Sequence, residues 1–402
     1  MTNFNKTICV IGLGYIGLPT ASLLGTKGYK VHGVDTSKHV VDTINEGKIH
    51  IVEPDLDILV KSAVQSGNLT AGLEPQAADV FVLAVPTPFK ENHQPDLSYV
   101  EAATRMIAPY VEAGNIIILE STSPVGTTED TVARILKDAG HDIDKDVYVA
   151  HCPERVLPGR ILTELVENDR IVGGVNKIAT EKAVEFYNTF VRGKVLVTDS
   201  RTAEMAKLTE NSFRDVNIAF ANELSLICDQ ENISVWELIA LANRHPRVNI
   251  LQPGPGVGGH CIAVDPWFIV SRAPELSRLI RTAREVNDYK PDWVVDKVKR
   301  SADKFKRPVI GCLGLAFKAD VDDLRESPAV DIVRTLINED IGQVLIAEPN
   351  LREHAEFELK PCEDVVSAAD IVLLLVDHKE FRDLRAESLK EKVLIDTRGV
   401  IV

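Results

Sequence analysis

A glycine turn between a short apolar run and a helix-like segment constrains the fold of this chain more than any other feature. Residues 7–11 are apolar and mostly β-branched, and they lead into Gly12, Gly14 and Gly17 in the pattern G-x-G-x-x-G. Residues 18–24 predict a helix, and residues 30–34 predict a second strand that ends at Asp35. This order is typical of a dinucleotide-binding βαβ unit and predicts an α/β fold with a doubly wound parallel sheet.

The turn and the acidic residue together predict the cofactor. Gly12 permits the tight turn, Gly14 lets the backbone approach a pyrophosphate, and Gly17 lets helix and strand pack closely. The helix N-terminus offers free N–H groups and partial positive charge to the phosphates. Asp35 can accept from both ribose hydroxyls and repels a 2′-phosphate, so we predict NAD rather than NADP. The expected contacts are Gly12, Gly14, Tyr15, Ile16, Gly17 and Asp35.

Three more strand-like runs, residues 80–85, 115–119 and 147–150, alternate with helix-like segments and end in polar loops. Ligands of such sheets sit beyond the carboxyl ends of the strands. Thr87 and Thr122 are therefore candidates to touch the cofactor, although either could be an ordinary turn or N-cap residue. In the third loop, Glu154 could hold a water or a substrate hydroxyl and Arg155 could meet an anion, unless they form a surface ion pair.

Composition narrows the class of protein. The 402 residues carry 45 basic and 60 acidic side chains, and the net charge of −15 argues against non-specific binding to nucleic acid or anionic membranes. No apolar run approaches the length of a membrane span, and the N-terminus does not predict a secretory leader. Six scattered cysteines without a C-x-x-C pair predict neither a disulfide framework nor a metal site, and favour the cytoplasm.

The middle of the chain predicts a long helix with a polar stripe. From residue 202 to about 232 there is no proline or glycine, and apolar residues occur on most faces, so much of the helix should be buried. Glu204, Lys207, Asn211 and Arg214 recur at spacings of three and four, which places them on one side. Unpaired buried polar groups are costly, so these side chains face a ligand or form an internal ion-pair network.

A cysteine on a shaped loop follows. Residues 253–266 contain four glycines and three prolines around Cys261, with Asp265 four residues further on. Such a loop is neither helix nor strand, and it can present a thiol to a ligand; the alternative is a buried, inert cysteine. Arg244, His245 and Arg247 lie shortly before it. Guanidinium groups suit phosphate oxygens, and positive charge here would favour the thiolate.

The last hundred residues repeat the α/β pattern. Residues 308–318 predict a strand running into a glycine turn, and further strands are predicted at residues 343–347, 371–376 and 392–396. We expect neither a full G-x-G-x-x-G nor a well-placed acidic residue after the second strand. This unit should therefore bind a nucleotide diphosphate, with Phe317 to stack and Lys318 to pair with it.

The whole chain should thus form two Rossmann-like parallel-sheet domains joined by a helical region. The predicted boundaries are 1–200 for the NAD-binding domain, 201–305 for the helical region and 306–402 for the C-terminal domain. Residues 276–306 predict further helix, with a break near Lys290 and Pro291.

Several motifs together resemble the nucleotide-sugar 6-dehydrogenase family, to which UDP-glucose dehydrogenase belongs, over nearly the whole chain. They are residues 12–17, 120–126 and 152–155, Lys207 with Asn211, and residues 258–261 with Asp265. Residues 261–268 depart from the UDP-glucose branch and are similar to the branch that oxidises UDP-N-acetyl-D-mannosamine. The resemblance implies a cytoplasmic homodimer, packed through residues near 201–300, that oxidises the sugar C6 alcohol to a carboxylate with two NAD⁺. It also implies that Arg325 reaches the cofactor and that the UDP-sugar touches Arg155, Val156, Lys207, Asn211, Arg214, His245, Arg247, Gly258, Phe317, Lys318 and Arg398.

The residue chemistry is consistent with a four-electron oxidation. A nicotinamide accepts one hydride at a time, so the aldehyde formed first must be trapped, and a Cys261 thiolate can do this. Lys207 could take the alcohol proton and, with Asn211, stabilise the oxyanion, while Asp265 and Glu154 could position water. Alternative hypotheses are the same chemistry on UDP-GlcNAc, UDP-GalNAc or UDP-glucose, a two-electron dehydrogenase that uses Lys207 alone, and a non-catalytic nucleotide-sugar sensor.

Overall fold

The computed structural model describes residues 6–156, 159–259, 261–384 and 389–401. Two compact units are present. The first comprises Met1–Glu210 with Trp267–Arg272, and the second comprises Asn211–Pro266 with Ala273–Val402.

An eight-stranded sheet forms the centre of the first unit. Its strand order is β3-β2-β1-β4-β5-β6-β7-β8, which contains the 3-2-1-4-5-6 order of dinucleotide-binding folds. All neighbours are parallel except β6 and β7, an antiparallel pair that the predicted all-parallel sheet lacked. The strands are β1 (Thr7–Ile11), β2 (Lys30–Val34), β3 (Leu69–Gly72), β4 (Val80–Leu83), β5 (Ile116–Leu119), β6 (Tyr148–His151), β7 (Arg170–Gly174) and β8 (Val195–Asp199).

Alternation along the strands builds a core on each face of this sheet. Ile8 and Val10 of β1 belong to one buried cluster, and Cys9 and Ile11 belong to another. Both faces must therefore be covered, which explains why the central strands β4 and β5 are apolar and buried throughout. The helices of this unit are α1 (Gly17–Thr26), α2 (Lys38–Asn45), α3 (Leu56–Gln65), α4 (Ser98–Ile107), α5 (Arg134–Asp138), α6 (Ile161–Glu167) and α7 (Lys177–Tyr187), and a π-helical turn, Thr128–Ala133, leads into α5.

Helix α8 (Ser200–Glu231) is the long helix predicted from the sequence. It starts among residues of the first unit and continues into those of the second. Not all of its apolar side chains are buried, because Phe213, Phe220 and Ile227 are 68%, 52% and 52% exposed. The prediction of extensive burial is therefore correct only in part.

The second unit contains a four-stranded parallel sheet of order β10-β9-β11-β12. Its strands are β9 (Val309–Leu313), β10 (Gln343–Ala347), β11 (Ile371–Leu374) and β12 (Val393–Asp396). The helices that follow α8 are α9 (Val235–Ala242), α10 (Asp265–Arg272), α11 (Arg278–Ala302), α12 (Pro328–Asn338), α13 (Cys362–Ala368) and α14 (Lys379–Arg382); α10 begins in this unit and ends in the first.

The predicted break in α11 is wrong. The helix runs without interruption from Arg278 to Ala302 with Pro291 inside it. Proline removes one intrahelical hydrogen bond, but tertiary packing can override that cost. Asn287 and Lys290 before the proline, and Val294 and Val298 after it, are all buried.

The C-terminal sheet repeats the glycine turn of the first unit more closely than the sequence suggested. Gly12 N donates to Val34 O at 2.8 Å, and Gly314 N donates to Ala347 O at 2.8 Å, with both glycines at positive φ. The expectation that no acidic residue follows the second strand is also wrong, since Glu348 comes directly after β10. Its carboxylate accepts from Leu315 N at 2.7 Å and lies 3.1 Å from His378 Nε2. The oxygens of Glu348 are therefore engaged by groups of the protein itself.

Candidate active site

The three motif glycines of the first unit differ in whether a side chain would fit at their position. A Cβ on Gly17 would lie 1.8 Å from Gly12 O, and one on Gly12 would lie 2.5 Å from Ala84 O, so the fold itself requires both glycines. A Cβ on Gly14 would meet nothing within 4 Å. The space in front of Gly14 is therefore open to a ligand, as the approach of a pyrophosphate requires.

Asp35 is held beside this turn. Its Oδ2 accepts from Leu13 N at 3.1 Å, and its Oδ1 accepts from Ser37 N at 2.9 Å. Tyr15, next to Gly14, is 36% exposed and Ile16 is half-buried. The glycine turn and the fixed carboxylate fit the pyrophosphate and the ribose of NAD.

The loops that follow β4 and β5 are tied together. Thr87 Oγ1 donates to Thr122 O at 2.6 Å, and Ser121 Oγ donates to Val85 O at 2.7 Å. The structure therefore brings the two predicted cofactor residues Thr87 and Thr122 into contact. The hydroxyl of Thr87 already has a backbone partner, which gives it a structural role in addition to any role toward a ligand.

A buried ion pair holds Glu154. The Glu154 carboxylate accepts from Arg170 Nη1 at 2.7 Å, and the two side chains are 6% and 2% exposed. Its other oxygen accepts from the backbone N–H of Arg155 at 2.6 Å. The Arg155 side chain turns to Glu210, with 2.6 Å between Nη2 and Oε1. Arg155 is thus paired with a carboxylate, and the neighbouring Val156 packs against the core as a partly buried residue.

A second carboxyl group, Glu120, shares this interior. It is buried and accepts a hydrogen bond from Tyr187 Oη at 2.6 Å. Removal from water raises the pKa of Glu120 to about 7, against the opposing effect of the Arg170 charge. Burial likewise raises the pKa of the nearby Cys152 thiol to about 12. Arg170 thus forms an ion pair with Glu154, and its charge also acts on the pKa of Glu120.

Polar side chains follow one buried face of α8, as predicted, but only some of the predicted residues are among them. Glu204 is buried and accepts from Gly126 N, Thr128 N and Thr128 Oγ1 at 2.5 to 2.8 Å, which satisfies it internally. Lys207 and Asn211, one turn apart, are 8% and 6% exposed. Arg214 is exposed. The prediction that Arg214 continues the buried stripe is wrong, because the buried residue at that level is Asp215.

The glycines of the cysteine loop let other parts of the second unit pack closely against it. A Cβ on Gly258 would lie 2.4 Å from Glu326 O and 2.8 Å from Phe317 Cβ. Gly259 N donates to Arg325 O at 3.0 Å. The loop therefore lies against Phe317 and the backbone of Arg325, both predicted as ligand contacts.

The start of the loop meets another predicted substrate residue. A Cβ on Gly254 would lie 2.6 Å from Arg398 Nη1. The Arg398 guanidinium is itself held by Asp377 at 2.8 Å. Arg398 is thus fixed beside the loop before any substrate binds.

Cys261 is exposed at the far end of the loop. Four residues later Asp265 is 3% exposed and accepts from Asn211 Nδ2 at 2.5 Å. Asn211 and Asp265, which were predicted separately, are therefore in direct contact. The other predicted anion contacts of this unit, His245, Arg247 and Lys318, are exposed, and the Arg325 side chain pairs with Asp323 at 2.6 Å.

Sequence reasoning missed the buried partners of these groups. Arg170 in β7 supports Glu154, and Asn222 and Asn287 form a buried amide pair in the second unit. The only sequence signal for the role of Arg170 is that a charged residue stands at the start of a short apolar run. Asn222 lies eleven residues after Asn211, a helical repeat that could have extended the predicted stripe.

The strand order, the open space in front of Gly14 and the fixed carboxylate of Asp35 define an NAD-binding α/β protein. The chain belongs to the UDP-glucose/GDP-mannose dehydrogenase family. Residues 6–191 match its NAD binding domain, residues 201–289 its central domain and residues 311–402 its UDP binding domain. The protein is an NAD-dependent UDP-sugar dehydrogenase.

Named relatives span nearly the whole chain. The chain is 60% identical to an NDP-N-acetyl-D-galactosaminuronic acid dehydrogenase of Ralstonia nicotianae, over 98% of this chain and 96% of that protein. It is 55% identical to a UDP-N-acetyl-D-mannosamine dehydrogenase of Yersinia pestis, over 98% and 99%. A solved UDP-N-acetyl-mannosamine dehydrogenase of S. aureus is 45% identical, with a TM-score of 0.91 and coverage of 98% and 95%. Among the helices of the described residues, none has the length and apolar composition that a membrane span requires.

Proposed function

We propose that this protein oxidises the C6 alcohol of UDP-N-acetyl-D-mannosamine to the carboxylate, with two NAD⁺ consumed per sugar. The observation that carries the proposal is the exposure of Cys261. Of the six cysteines, all of which lie within the described residues, it alone is exposed; four are buried and Cys362 is intermediate. An accessible thiol on a loop that packs against Phe317 and Arg325 suits a covalent intermediate with a bound sugar.

The four electrons leave in two hydride transfers, and bound NAD⁺ accepts one hydride in each. Lys207 takes the proton of the C6 hydroxyl during the first, which leaves an aldehyde. The Cys261 thiolate then adds to the aldehyde carbon to form a thiohemiacetal, whose oxygen Lys207 and Asn211 stabilise. Loss of the second hydride and of the hydroxyl proton gives a thioester. Attack by water breaks the carbon–sulfur bond and yields the carboxylate and the free thiol.

Two carboxylates are candidates to orient that water. Asp265 is held by Asn211 and lies four residues from the thiol in the chain. Glu154 is held in place by its buried ion pair with Arg170, with 2.7 Å between Oε2 and Nη1. We assign the water-orienting role to this pair and the proton transfer at the hydroxyl to Lys207.

Which UDP-sugar the enzyme prefers is inferred from its relatives. The mannosamine substrate is supported by the relatives that carry that name. The 60% identical relative is named for a galactosaminuronic acid, so UDP-GalNAc is the second candidate. UDP-GlcNAc and UDP-glucose complete the set that a test must include.

A substrate panel tests the proposal. Purified protein is incubated with each of the four UDP-sugars and NAD⁺, and NADH formed per sugar consumed is counted from absorbance and product mass. We expect two NADH per UDP-N-acetyl-D-mannosamine and the fastest turnover with that sugar. One NADH per sugar with free aldehyde would refute the four-electron chemistry, and faster turnover of another sugar would refute the substrate.

Two cysteine variants test the role of Cys261 in the same assay. Cys261→Ser should form no acid above background, because a hydroxyl is a far poorer nucleophile than a thiolate at neutral pH. Cys362→Ser, at a half-buried cysteine in α13, is the matched control and should keep wild-type turnover. Full activity of a Cys261→Ala variant would instead favour a two-electron dehydrogenase that relies on Lys207.

We also propose that the protein is a cytoplasmic homodimer. Phe213, Phe220 and Ile227 are spaced by seven residues on α8, so they form one exposed apolar stripe. Such a stripe on a soluble enzyme is costly unless another surface covers it, and a second copy of the same helix presents a complementary one. A reactive thiol that must stay reduced favours the cytoplasm as the place of action.

A further inference from the structure

The cysteine loop of the second unit is attached to α8 at both ends. At its downstream end Asn211 Nδ2 donates to Asp265 Oδ2 at 2.5 Å. At its upstream end the backbone N–H of Gly254 donates to Asn222 Oδ1 at 2.9 Å. Eleven residues make three turns of an α-helix with only about 20° left over, so the two asparagines project from the same face. The loop therefore spans about 16 Å of one helix face.

The upstream asparagine is held in turn by α11. Asn222 Nδ2 donates to Asn287 Oδ1 at 2.8 Å, and Asn287 Nδ2 donates to Asp215 Oδ1 at 2.8 Å. The Asp215 carboxylate also accepts from Arg284 Nη1 at 2.6 Å. All four residues are at most 1% exposed. Each amide is thereby fixed in orientation, with its oxygen and its nitrogen both committed.

This chain of bonds explains why Asn222 cannot turn away from the loop. A flipped Asn222 amide would set its nitrogen against the Gly254 N–H and its oxygen against Asn287 Oδ1, and both groups would lose their partners in the interior. Gly256, two residues further along the loop, packs against Pro291 of the same α11, with 3.2 Å between an added Cβ and the proline Cγ. The upstream half of the loop is thus held by α8 and α11, together with Pro328 at the start of α12, which would lie 2.8 Å from the same added Cβ.

We propose that Asn222, held by Asn287, is a positioning residue that places the upstream end of the cysteine loop and thereby sets where Cys261 meets the sugar C6. The effect on catalysis rests on the function proposed above, whereas the placement of the loop by Asn222 does not. A misplacement of a reacting group by about 1 Å can cost a hundredfold in rate. The step that needs the thiol should therefore suffer more than the first hydride transfer, which does not use it.

The test uses two readouts on the full-length protein. The first is amide hydrogen exchange of peptides covering residues 250–264 in the absence of substrate. Asn222→Ala should speed exchange of the loop amides at least about tenfold, because Gly254 N–H loses its buried acceptor. The second is NADH per sugar, which should fall from two toward one with release of aldehyde, while the rate of the first oxidation changes less than about threefold.

Matched variants separate positioning from general loss of stability. Ser225→Ala removes another buried hydrogen-bonding side chain from the same face of α8, whose hydroxyl donates to the Asn222 carbonyl and accepts from Lys290 Nζ. It should leave loop exchange and NADH per sugar at wild-type values. Asn222→Asp keeps an oxygen acceptor for Gly254, and in its protonated form it also keeps a donor for Asn287 Oδ1. At a pH at which that carboxyl group is protonated, it should restore most of the loop protection that Asn222→Ala loses. If Asn222→Ala does not fold, Asn287→Ala takes its place, with the same expected direction for both readouts.

Wild-type loop exchange and two NADH per sugar in the Asn222 and Asn287 variants would overturn the positioning role. Equal changes in the Ser225→Ala control would also overturn it, because they would show only that α8 had been weakened. If wild-type protein itself oxidises none of the four UDP-sugars, the proposed function fails, while the exchange measurement still decides whether Asn222 holds the loop.

Discussion

Replacing Gly14 with alanine should separate ligand binding from folding. A Cβ at this position meets no atom within 4 Å, and the φ angle of Gly14 is not in the positive range. The folded state should accept the methyl group without strain. Loss of unfolded-chain entropy then stabilises the variant by up to about 1 kcal/mol, as for other compatible Gly→Ala changes.

The same methyl group should weaken NAD binding strongly. It fills the space through which a pyrophosphate reaches the backbone, so we expect the NAD dissociation constant to rise at least about tenfold, or about 1.4 kcal/mol. Urea unfolding measures the first effect and isothermal titration with NAD⁺ the second. Wild-type NAD affinity in a stably folded Gly14→Ala protein would refute the placement of the pyrophosphate at this turn.

Gly17→Ala is the informative comparison. Its Cβ would lie 1.8 Å from Gly12 O, so helix α1 and the turn must move apart by more than 1 Å to reach an ordinary contact. Overpacking of this kind typically costs about 1–3 kcal/mol, and more where backbone must move. We therefore expect lower stability and lower NAD affinity together, in contrast to Gly14→Ala, where they should change independently.

Three further predictions concern the buried carboxyl group of Glu120, the ribose site at Asp35 and the exposed apolar stripe of α8. Glu120 has a folded pKa of about 7, raised by burial from 4.5, so its contribution to stability is complete below about pH 4.5 and is lost as the pH rises through 7. Thermal unfolding between pH 5 and 8 should show this fall, on the order of 3 kcal/mol, and Glu120→Gln should flatten it; an unchanged slope would contradict a protonated Glu120. Asp35→Ser should raise the affinity for NADP relative to NAD at least about tenfold in titrations, because the carboxylate no longer repels a 2′-phosphate; unchanged preference would place the ribose elsewhere. Phe220→Glu should halve the particle mass in light scattering, whereas Ile58→Glu, at a still more exposed apolar residue of α3, should not; a monomeric wild type would refute the dimer.

Local patterns predicted the elements of the fold well. The strand, turn and helix at residues 7–26 and the long helix at residues 200–231 were confirmed because their signals, glycine spacing and an uninterrupted run of helix-forming residues, are local. The break at Pro291 was wrong because burial on both sides of a proline is a tertiary property. Strands β3, β7 and β8 were missed, and the last of these is largely exposed, with no apolar alternation to reveal it.

Sequence motifs identified residues of the candidate site but not the buried partners that hold them. Motifs supplied Asn211, Asp265 and Cys261, and the first two are in direct contact. The ionic partner of Glu154 was not predictable, because Arg170 lies on a strand that sequence reasoning did not find. The spacing of three and four placed Arg214 on the polar side of α8, whereas Arg214 is exposed and the adjacent Asp215 is buried. Only packing decides which of two adjacent residues faces inward. The individual catalytic assignments and the three-part domain boundaries stay predictions.

The two asparagine tethers make helix register a constraint on insertions and deletions. One residue added to α8 between Asn211 and Asn222 would rotate one tether by about 100° and shift it by about 1.5 Å relative to the other. The loop could not then reach both tethers, so that eleven-residue interval should tolerate substitutions far better than changes in length. Beyond Glu231, where the helix ends, length variation carries no such penalty.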